Sequence, residues 1–255
     1  MFCNLCGLGK PGLFRTDNEP PDAGRRAWLR AGSVAATMPW ALSAALAADA
    51  VPAAAAAAPN AIAPSEALKR LVEGNARYAA NEPQERDYSA GRAARALAQY
   101  PVAAILSCAD SRVAPEFAFD QGPGELFITR VAGNYLTPSL MSSLEYGVAV
   151  LGAPLLMVLG HTNCGAVSAG VKSLEAKAPL PGHIQDIVTA MQPAVIKAMA
   201  GKDGSLLDRA IVENVKVQKL ALATKPSLIK KMVDAKKIEI VGGVYDLATG
   251  KVSLV

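Results

Sequence analysis

The sequence predicts an α/β fold in which a central, mainly parallel β-sheet is flanked by helices within a single domain. Short apolar runs, among them Val102–Ser107 and Leu155–Leu159, are typical of strands buried on both faces. These runs alternate with segments of helical periodicity, an order that indicates a parallel sheet. Hydrophobic residues make up 51% of the 255-residue chain, which excludes wholesale disorder. A net charge of +4 and an aromatic content of 5% argue against a nucleic-acid partner.

The first half of the predicted domain contains two helices and two strands. Apolar residues at helical spacing predict a helix over 65–80. A short second helix over 90–99 ends before Pro101, because the residue before a proline avoids helical dihedral angles. The apolar run Val102–Ser107 predicts the first strand. The β-branched and aromatic residues of Glu125–Val131 predict the second.

The second half continues the alternation. Thr137 and Pro138 predict a capped helix start, and Gly152 marks its end. The apolar run Leu155–Leu159 predicts a third buried strand. The same patterns predict further helices near 163–175, 185–200, 205–223 and 227–235, and final strands at Ile238–Tyr245 and Lys251–Leu254.

Residues 1–50 are predicted to be an export signal that is cleaved from the mature protein. Three arginines within 25–30 precede an uncharged run at 31–48, which ends in small residues suited to cleavage. The adjacent pair of arginines resembles the twin-arginine signal, a bacterial export address. An uncleaved membrane anchor is the alternative, and Pro39 with the weakly apolar composition argues against it. We therefore expect a periplasmic protein with no stable membrane association after cleavage.

The alanine- and proline-rich residues 51–64 predict a linker, and the catalytic domain is expected over 65–255. A C-x-x-C motif at positions 3–6 lies before the arginines of the export signal and would be removed with the signal. The mature chain then keeps only Cys108 and Cys164. A disulfide between them is one alternative in an oxidising compartment.

Two loops that each follow a predicted strand carry the candidate chemistry. One contains Cys108, Asp110 and Arg112, and the other contains His161 and Cys164. Because the carboxyl ends of parallel strands meet at one edge of a sheet, we expect the two loops to lie side by side. Two thiolates and an imidazole suit zinc, and they leave a fourth position for water or for a carboxylate such as Asp110.

Other interpretations of these residues remain open from the sequence. Asp110 and Arg112 form a structural salt bridge in the simplest alternative. His183 follows a Pro-Gly turn signal, which indicates an exposed loop residue, with a role as proton relay as the alternative.

Six motifs in this order resemble the β-class carbonic anhydrases: C-x-D-S-R at 108–112, P-G-E-L-F at 123–127, R-V-A-G-N at 130–134, S-L-E-Y at 143–146, G-H-x-x-C-G at 160–165 and G-V-Y-D-L at 243–247. The resemblance covers residues 65–255. It implies reversible hydration of carbon dioxide to bicarbonate and a proton by attack of a zinc-bound hydroxide, with one zinc per subunit. It also implies a homodimer or a dimer of dimers with the active site at the subunit interface. Many members have asparagine where this chain has Val131, and from this difference we expect only a local adjustment, in the hydrogen bonding near Asn134.

The resemblance further implies roles for individual residues. Asp110 and Arg112 match the catalytic pair, and Asp110 is a fourth zinc ligand in one of the family's two states. Gln99 resembles a glutamine that some members offer to the substrate across the interface, and it favours the state with water bound. Phe127 and Tyr146 match apolar positions of the substrate pocket.

Two other functions remain as alternatives. A zinc hydrolase of carbonyl sulfide or carbon disulfide would use the same scaffold, because these substrates are also small, linear and apolar. A non-catalytic module with a structural zinc would need a fourth protein ligand and would leave the pair of Asp110 and Arg112 without a role.

Overall fold

The computed structural model describes residues 58–255. The predicted export signal, the motif at positions 3–6 and half of the predicted linker lie outside the described residues. The strands are β1 (Ala103–Cys108), β2 (Leu126–Val131), β3 (Leu155–His161), β4 (Glu239–Tyr245) and β5 (Val252–Leu254). The helices are α1 (Pro64–Ala79), α2 (Arg92–Leu97), α3 (Pro115–Ala118), α4 (Pro138–Ala149), α5 (Gly165–Ala176), α6 (Ile184–Met199), α7 (Leu206–Thr224) and α8 (Leu228–Asp234). No helix in this part of the chain is long and apolar enough to cross a membrane.

The predicted fold class is confirmed. The sheet has the order β2-β1-β3-β4-β5, in which the first four strands are parallel and β5 is antiparallel to β4. Every predicted element is present, with ends within two residues of the predicted ones. The short helix α3 was not predicted, because four residues are too few to show a helical period.

The central strands β1 and β3 are buried along their whole lengths, as their continuous apolar sequences predict. Side chains on one face of the sheet pack against α1 and α3, and those on the other face pack against α4, α7 and α8. A third group of buried side chains joins α5, α6 and α7 to the carboxyl end of β1. The chain leaves β1 toward β2 and then crosses back to β3. The carboxyl ends of β1 and β3 therefore lie at the switch point where ligands bind in such sheets.

The start of α4 follows the predicted capping chemistry. The Thr137 hydroxyl accepts a hydrogen bond from the Leu140 N–H at 3.3 Å, and Pro138 occupies the first helical position. Ser205 and Ser227 cap α7 and α8 in the same way. These caps satisfy backbone donors that have no partner inside their helix.

A buried carboxylate, Asp120, ties the segment after α1 to the loop after α3. Its side chain is 2% exposed and contacts Arg77 at 2.6 Å and also Arg86. The backbone N–H of Gln84 lies 3.2 Å from the same carboxylate. Burial alone would raise the pKa of Asp120, but the hydrogen bonds from Arg86, Arg77 and the Gln84 N–H outweigh it and lower that pKa. Asp120 is therefore an ionised anchor for the chain that leads to α2.

Candidate metal centre

Three side chains with metal-binding atoms meet at the carboxyl ends of β1 and β3. Cys108 and His161 are the last residues of these strands, and Cys164 immediately precedes α5. All three are buried, and their ligand atoms lie within 4.8 Å of one another. The prediction that the loops after β1 and β3 lie side by side is thus confirmed. No other histidine, cysteine, aspartate or glutamate among residues 58–255 joins this group of ligand atoms.

The geometry of the three side chains fits a zinc ion. The sulfurs of Cys108 and Cys164 are 4.0 Å apart, and both thiols are free, so the disulfide alternative is not realised. Two sulfurs at about 2.3 Å from a tetrahedral zinc are roughly 3.8 Å apart, which is close to the observed spacing. His161 Nδ1 lies 2.9 Å from the Thr162 carbonyl oxygen, which leaves the lone pair of Nε2 for a metal. Nε2 is buried and makes no hydrogen bond to any described residue.

Backbone N–H groups surround the Cys108 sulfur. The Gly133 N–H donates to it at 3.2 Å and the Asp110 N–H at 3.4 Å. The hydrogen bond from Cys164 is the main cause that lowers the pKa of Cys108, and these two donors lower it further. The same interaction, together with burial, raises the pKa of Cys164. Within this pair, the thiolate that a metal ligand must supply is therefore favoured on Cys108.

Asp110 borders the cluster and is held by Arg112. Arg112 Nε lies 2.9 Å from Asp110 Oδ1, Nη2 lies 2.7 Å from Oδ2, and the Arg112 backbone N–H also donates to Oδ1. This hydrogen bonding, led by the Arg112 side chain, holds the pKa of Asp110 well below its usual range. Asp110 Oδ2 is 3.8 Å from His161 Nε2. The carboxylate is thus ionised, beside the metal ligands, and directed to Arg112.

Arg130 has no role that its sequence pattern predicts, yet its guanidinium holds the loop that carries the candidate residues. Arg130 Nε donates to the Cys108 carbonyl at 2.9 Å, and Nη2 donates to the carbonyls of Asp110 and Val113 at 2.7 and 2.8 Å. The register of β1 and β2 pairs Arg130 with Ser107, next to Cys108. A prediction of that register was the one signal that could have indicated this contact.

The three predicted pocket residues lie apart from the metal-binding atoms of their own chain. Phe127 is aligned with Ala104, four residues before Cys108, a distance of about 13 Å along a strand. The rings of Phe127 and Tyr146 have centroids 6.1 Å apart, and Gln99 and Tyr146 line one open cavity. Tyr146 is 48% exposed. Within a single chain these residues form a separate surface.

Two remaining expectations have clear outcomes. His183 is fully exposed and lies 3.1 Å from Asp186, as expected for a loop residue that precedes a helix. Asn134 is 1% exposed, and its Nδ2 has no hydrogen-bond partner among the described residues. The Nδ2 group of Asn134, close in sequence to Val131, is thus the one part of this motif that no described residue satisfies.

Comparisons with known proteins agree with one another. The family model described as "Carbonic anhydrase" matches residues 103–252. Carbonic anhydrase 2 of Mycobacterium tuberculosis is 38% identical over 193 residues, which cover 75% of this chain and 92% of that protein. The carbonic anhydrase of Mycolicibacterium smegmatis is 37% identical over 193 residues, covering 75% and 93%. Among solved structures, the Coccomyxa β-carbonic anhydrase in complex with acetazolamide has a TM-score of 0.58 at 28% identity, covering 74% of this chain and 86% of that one.

Proposed function

The chain belongs to the β-class carbonic anhydrases, zinc enzymes that hydrate carbon dioxide, and we propose that Cys108, His161 and Cys164 hold its zinc while Asp110 and Arg112 serve the reaction. One observation carries the proposal. Three buried ligand atoms converge at the switch point of the sheet, with an ionised carboxylate 3.8 Å from one of them. The described residues supply three such ligands, and a catalytic zinc site keeps its fourth position open.

Zinc, when bound, supplies Lewis acidity, which lowers the pKa of water and provides a nucleophile near neutral pH. Asp110 orients that nucleophile. As an ionised carboxylate, Asp110 only accepts hydrogen bonds, so its Oδ2 accepts one from the attacking water. A lone pair of the water oxygen is then directed at carbon dioxide.

Arg112 keeps Asp110 in this position. Its two side-chain hydrogen bonds fix the plane of the carboxylate and offset its charge, which would favour water over Asp110 in the fourth ligand position. Arg112 Nη2 also lies 3.3 Å from the Asn163 carbonyl, which links the two loops of the site. A lysine at this position would lack the planar pair of donors.

We further propose that a second copy of the chain completes the substrate pocket. Leu97 is 90% exposed, and it lines the same open cavity as Gln99 and Tyr146. An exposed apolar surface of this kind is typical of a protein interface. In a homodimer or a dimer of dimers, Gln99, Phe127 and Tyr146 of one protomer would face the metal centre of the other. The separation of Phe127 from Cys108 within one chain supports this placement. Gel filtration with light scattering tests this, and an active monomer would contradict it.

The cellular location is a proposal from the sequence of residues 1–50. Export by the twin-arginine route carries folded proteins, so zinc can bind while both thiols are reduced, and bound thiolates are protected from oxidation afterwards. Fractionation of cells that express the full chain should recover the mature protein from the periplasm. Recovery from the cytosol would refute this location.

A carbon dioxide hydration assay on the purified chain, with zinc content measured in parallel, tests the function. Asp110→Asn should keep one zinc per chain and lose about 10²- to 10⁴-fold in turnover, the usual range for a positioned acid–base group. Asp186→Asn, an exposed aspartate that also has a partner, is the matched control and should keep full activity. An inactive zinc-loaded wild type, or a fully active Asp110→Asn variant, would contradict the proposal. Carbonyl sulfide and carbon disulfide as test substrates distinguish the alternative hydrolases.

A further inference from the structure

Two buried amide side chains of α7 connect this helix to the loop that follows β2. The Leu136 N–H donates to Gln218 Oε1 at 3.0 Å, and Gln218 Nε2 donates to Asn214 Oδ1 at 3.2 Å. Asn214 Nδ2 then donates to the Gly133 carbonyl at 2.9 Å. Asn214 is 1% exposed and Gln218 is 6% exposed. The three hydrogen bonds form one continuous chain from the Leu136 N–H to the Gly133 carbonyl.

The direction of this chain is fixed by the backbone at both ends. A backbone N–H only donates and a carbonyl only accepts, so Leu136 requires the amide oxygen of Gln218 and Gly133 requires the amide nitrogen of Asn214. Neither amide can be reversed without the loss of two hydrogen bonds. Because both side chains are buried, water does not replace a lost partner at low cost.

The loop held in this way contacts a metal-binding atom. The Gly133 N–H donates to the Cys108 sulfur at 3.2 Å. Gly133 and Asn134 both have positive φ values, 85° and 41°, and the second of these is uncommon for a residue other than glycine. Glycine and asparagine are the residue types that tolerate such values, so these two residues permit the turn, and the hydrogen bond from Asn214 Nδ2 to the Gly133 carbonyl fixes its position.

We infer that Asn214 and Gln218 are positioning residues for the metal centre, because they hold the Gly133 N–H against the Cys108 sulfur. This inference rests on the proposed function, in which Cys108 is a zinc ligand. Hydrogen bonds to a ligand sulfur tune the electron density that it gives to the metal, and partners that orient ligands are typically worth about 10- to 100-fold in metal affinity or activity. A side chain on α7, which carries no ligand, thus adjusts the metal site.

The test compares variants in which the chain of amides is interrupted. Gln218→Met removes both of its hydrogen bonds at similar volume, and Gln218→Glu keeps an acceptor for Leu136 but loses the donor to Asn214. Asn214→Leu removes the donor to Gly133. Gln185→Met is the matched control. Gln185, on α6, accepts from the Leu180 N–H at 2.8 Å, and the loop that contains Leu180 carries no candidate ligand.

Each variant is loaded with cobalt(II), whose thiolate-to-metal absorption band reports on the sulfurs, and its zinc affinity is measured by competition with a chromophoric chelator. We expect a shifted band and a zinc affinity about 10-fold weaker in the Gln218 and Asn214 variants, with Gln185→Met like wild type. Thermal unfolding identifies any variant that does not fold. If Asn214→Leu fails to fold, the two Gln218 variants decide the question.

The inference would be overturned if the folded Gln218 and Asn214 variants kept the cobalt absorption band and the zinc affinity of the wild type. It would also be overturned if Gln185→Met changed these two quantities as much as the other variants do. Failure of the proposed function is recognised separately, because a wild type that binds zinc but does not hydrate carbon dioxide still gives a cobalt band for comparison.

Discussion

Asp120→Asn removes the charge of the carboxylate that holds the segment after α1. The loss in the free energy of unfolding that this substitution causes can be estimated from the structure. Asp120 is 2% exposed at its side chain and contacts two guanidinium groups, those of Arg77 and Arg86. Asparagine has nearly the same shape, so the change leaves the packing intact. It leaves the two arginines facing a neutral amide.

The loss should be about 3 kcal/mol in the free energy of unfolding. Breaking a buried ion pair by removing one partner costs roughly 3–5 kcal/mol. The side chains of Arg77 and Arg86 are 30% and 19% exposed and regain some hydration, so the lower end of that range applies. For a domain of this size, about 3 kcal/mol corresponds to a decrease of roughly 6–12 °C in Tm.

Urea and thermal denaturation of the zinc-loaded protein measure this loss. Asp234→Asn is the control, because Asp234 pairs with Lys230 at 2.6 Å but is 60% exposed, and it should cost no more than about 0.5 kcal/mol. Equal effects of the two substitutions would refute the reasoning that burial gives Asp120 its importance.

The difference between wild type and Asp120→Asn should also depend on pH. The pKa of Asp120 is lower in the folded state than in the unfolded chain, where an aspartate titrates at about 3.9. Its stabilisation is therefore fully present above that value and is lost as the pH falls through the folded pKa. The two stabilities should converge on acidification below about pH 4. A constant difference between pH 7 and pH 3 would contradict the assignment.

Three further predictions concern other parts of the molecule. Arg130→Met should lower kcat/KM for hydration about 10- to 100-fold, because the loop of the metal site loses three hydrogen bonds; unchanged kinetics would contradict this role. Gly74→Ala should lower the free energy of unfolding, measured by urea denaturation, by about 3 kcal/mol, because the new Cβ would lie 1.9 Å from the Phe119 carbonyl oxygen. An unchanged free energy would show that α1 can move to accommodate the methyl group. Burial and the hydrogen bond with Tyr78 raise the pKa of Tyr245 to about 12. The free energy of unfolding should therefore fall as the pH rises from about 10 through 12. In a spectrophotometric titration of tyrosine, Tyr245→Phe should remove the ionisation step near pH 12.

The fold and the meeting of the three ligand residues follow from local sequence features. Continuous apolar runs identify β1 and β3, and Cys108 and His161 end these runs. Parallel strands place their carboxyl ends together, so 53 positions of separation do not prevent the two loops from meeting. The contact between Asp110 and Arg112 spans two residues and is within reach of sequence reasoning. The catalytic and pocket roles of the named residues stay predictions.

The supporting contacts could not be predicted, because they depend on tertiary packing between distant segments. Arg130 reaches a carbonyl 22 positions away, and Asn214 reaches one 81 positions away. The sequence pattern around Arg130 indicates only that it lies in a strand, and the pattern around Asn214 indicates only that it lies in a helix. Which polar side chain faces which carbonyl depends on strand register and helix rotation, and neither leaves a signal in a single sequence.

The parallel alignment of β1 with β3 has a consequence for the folding of the chain. Side chains alternate between the faces of a strand, so a displacement of β1 by one position would turn Cys108 to the opposite side of the sheet and away from its two companions. A molecule in which β1 is misaligned thus cannot bring the side chains of Cys108, His161 and Cys164 together. Because zinc binds only to correctly aligned molecules, the free energy of zinc binding stabilises the native register relative to registers shifted by one residue.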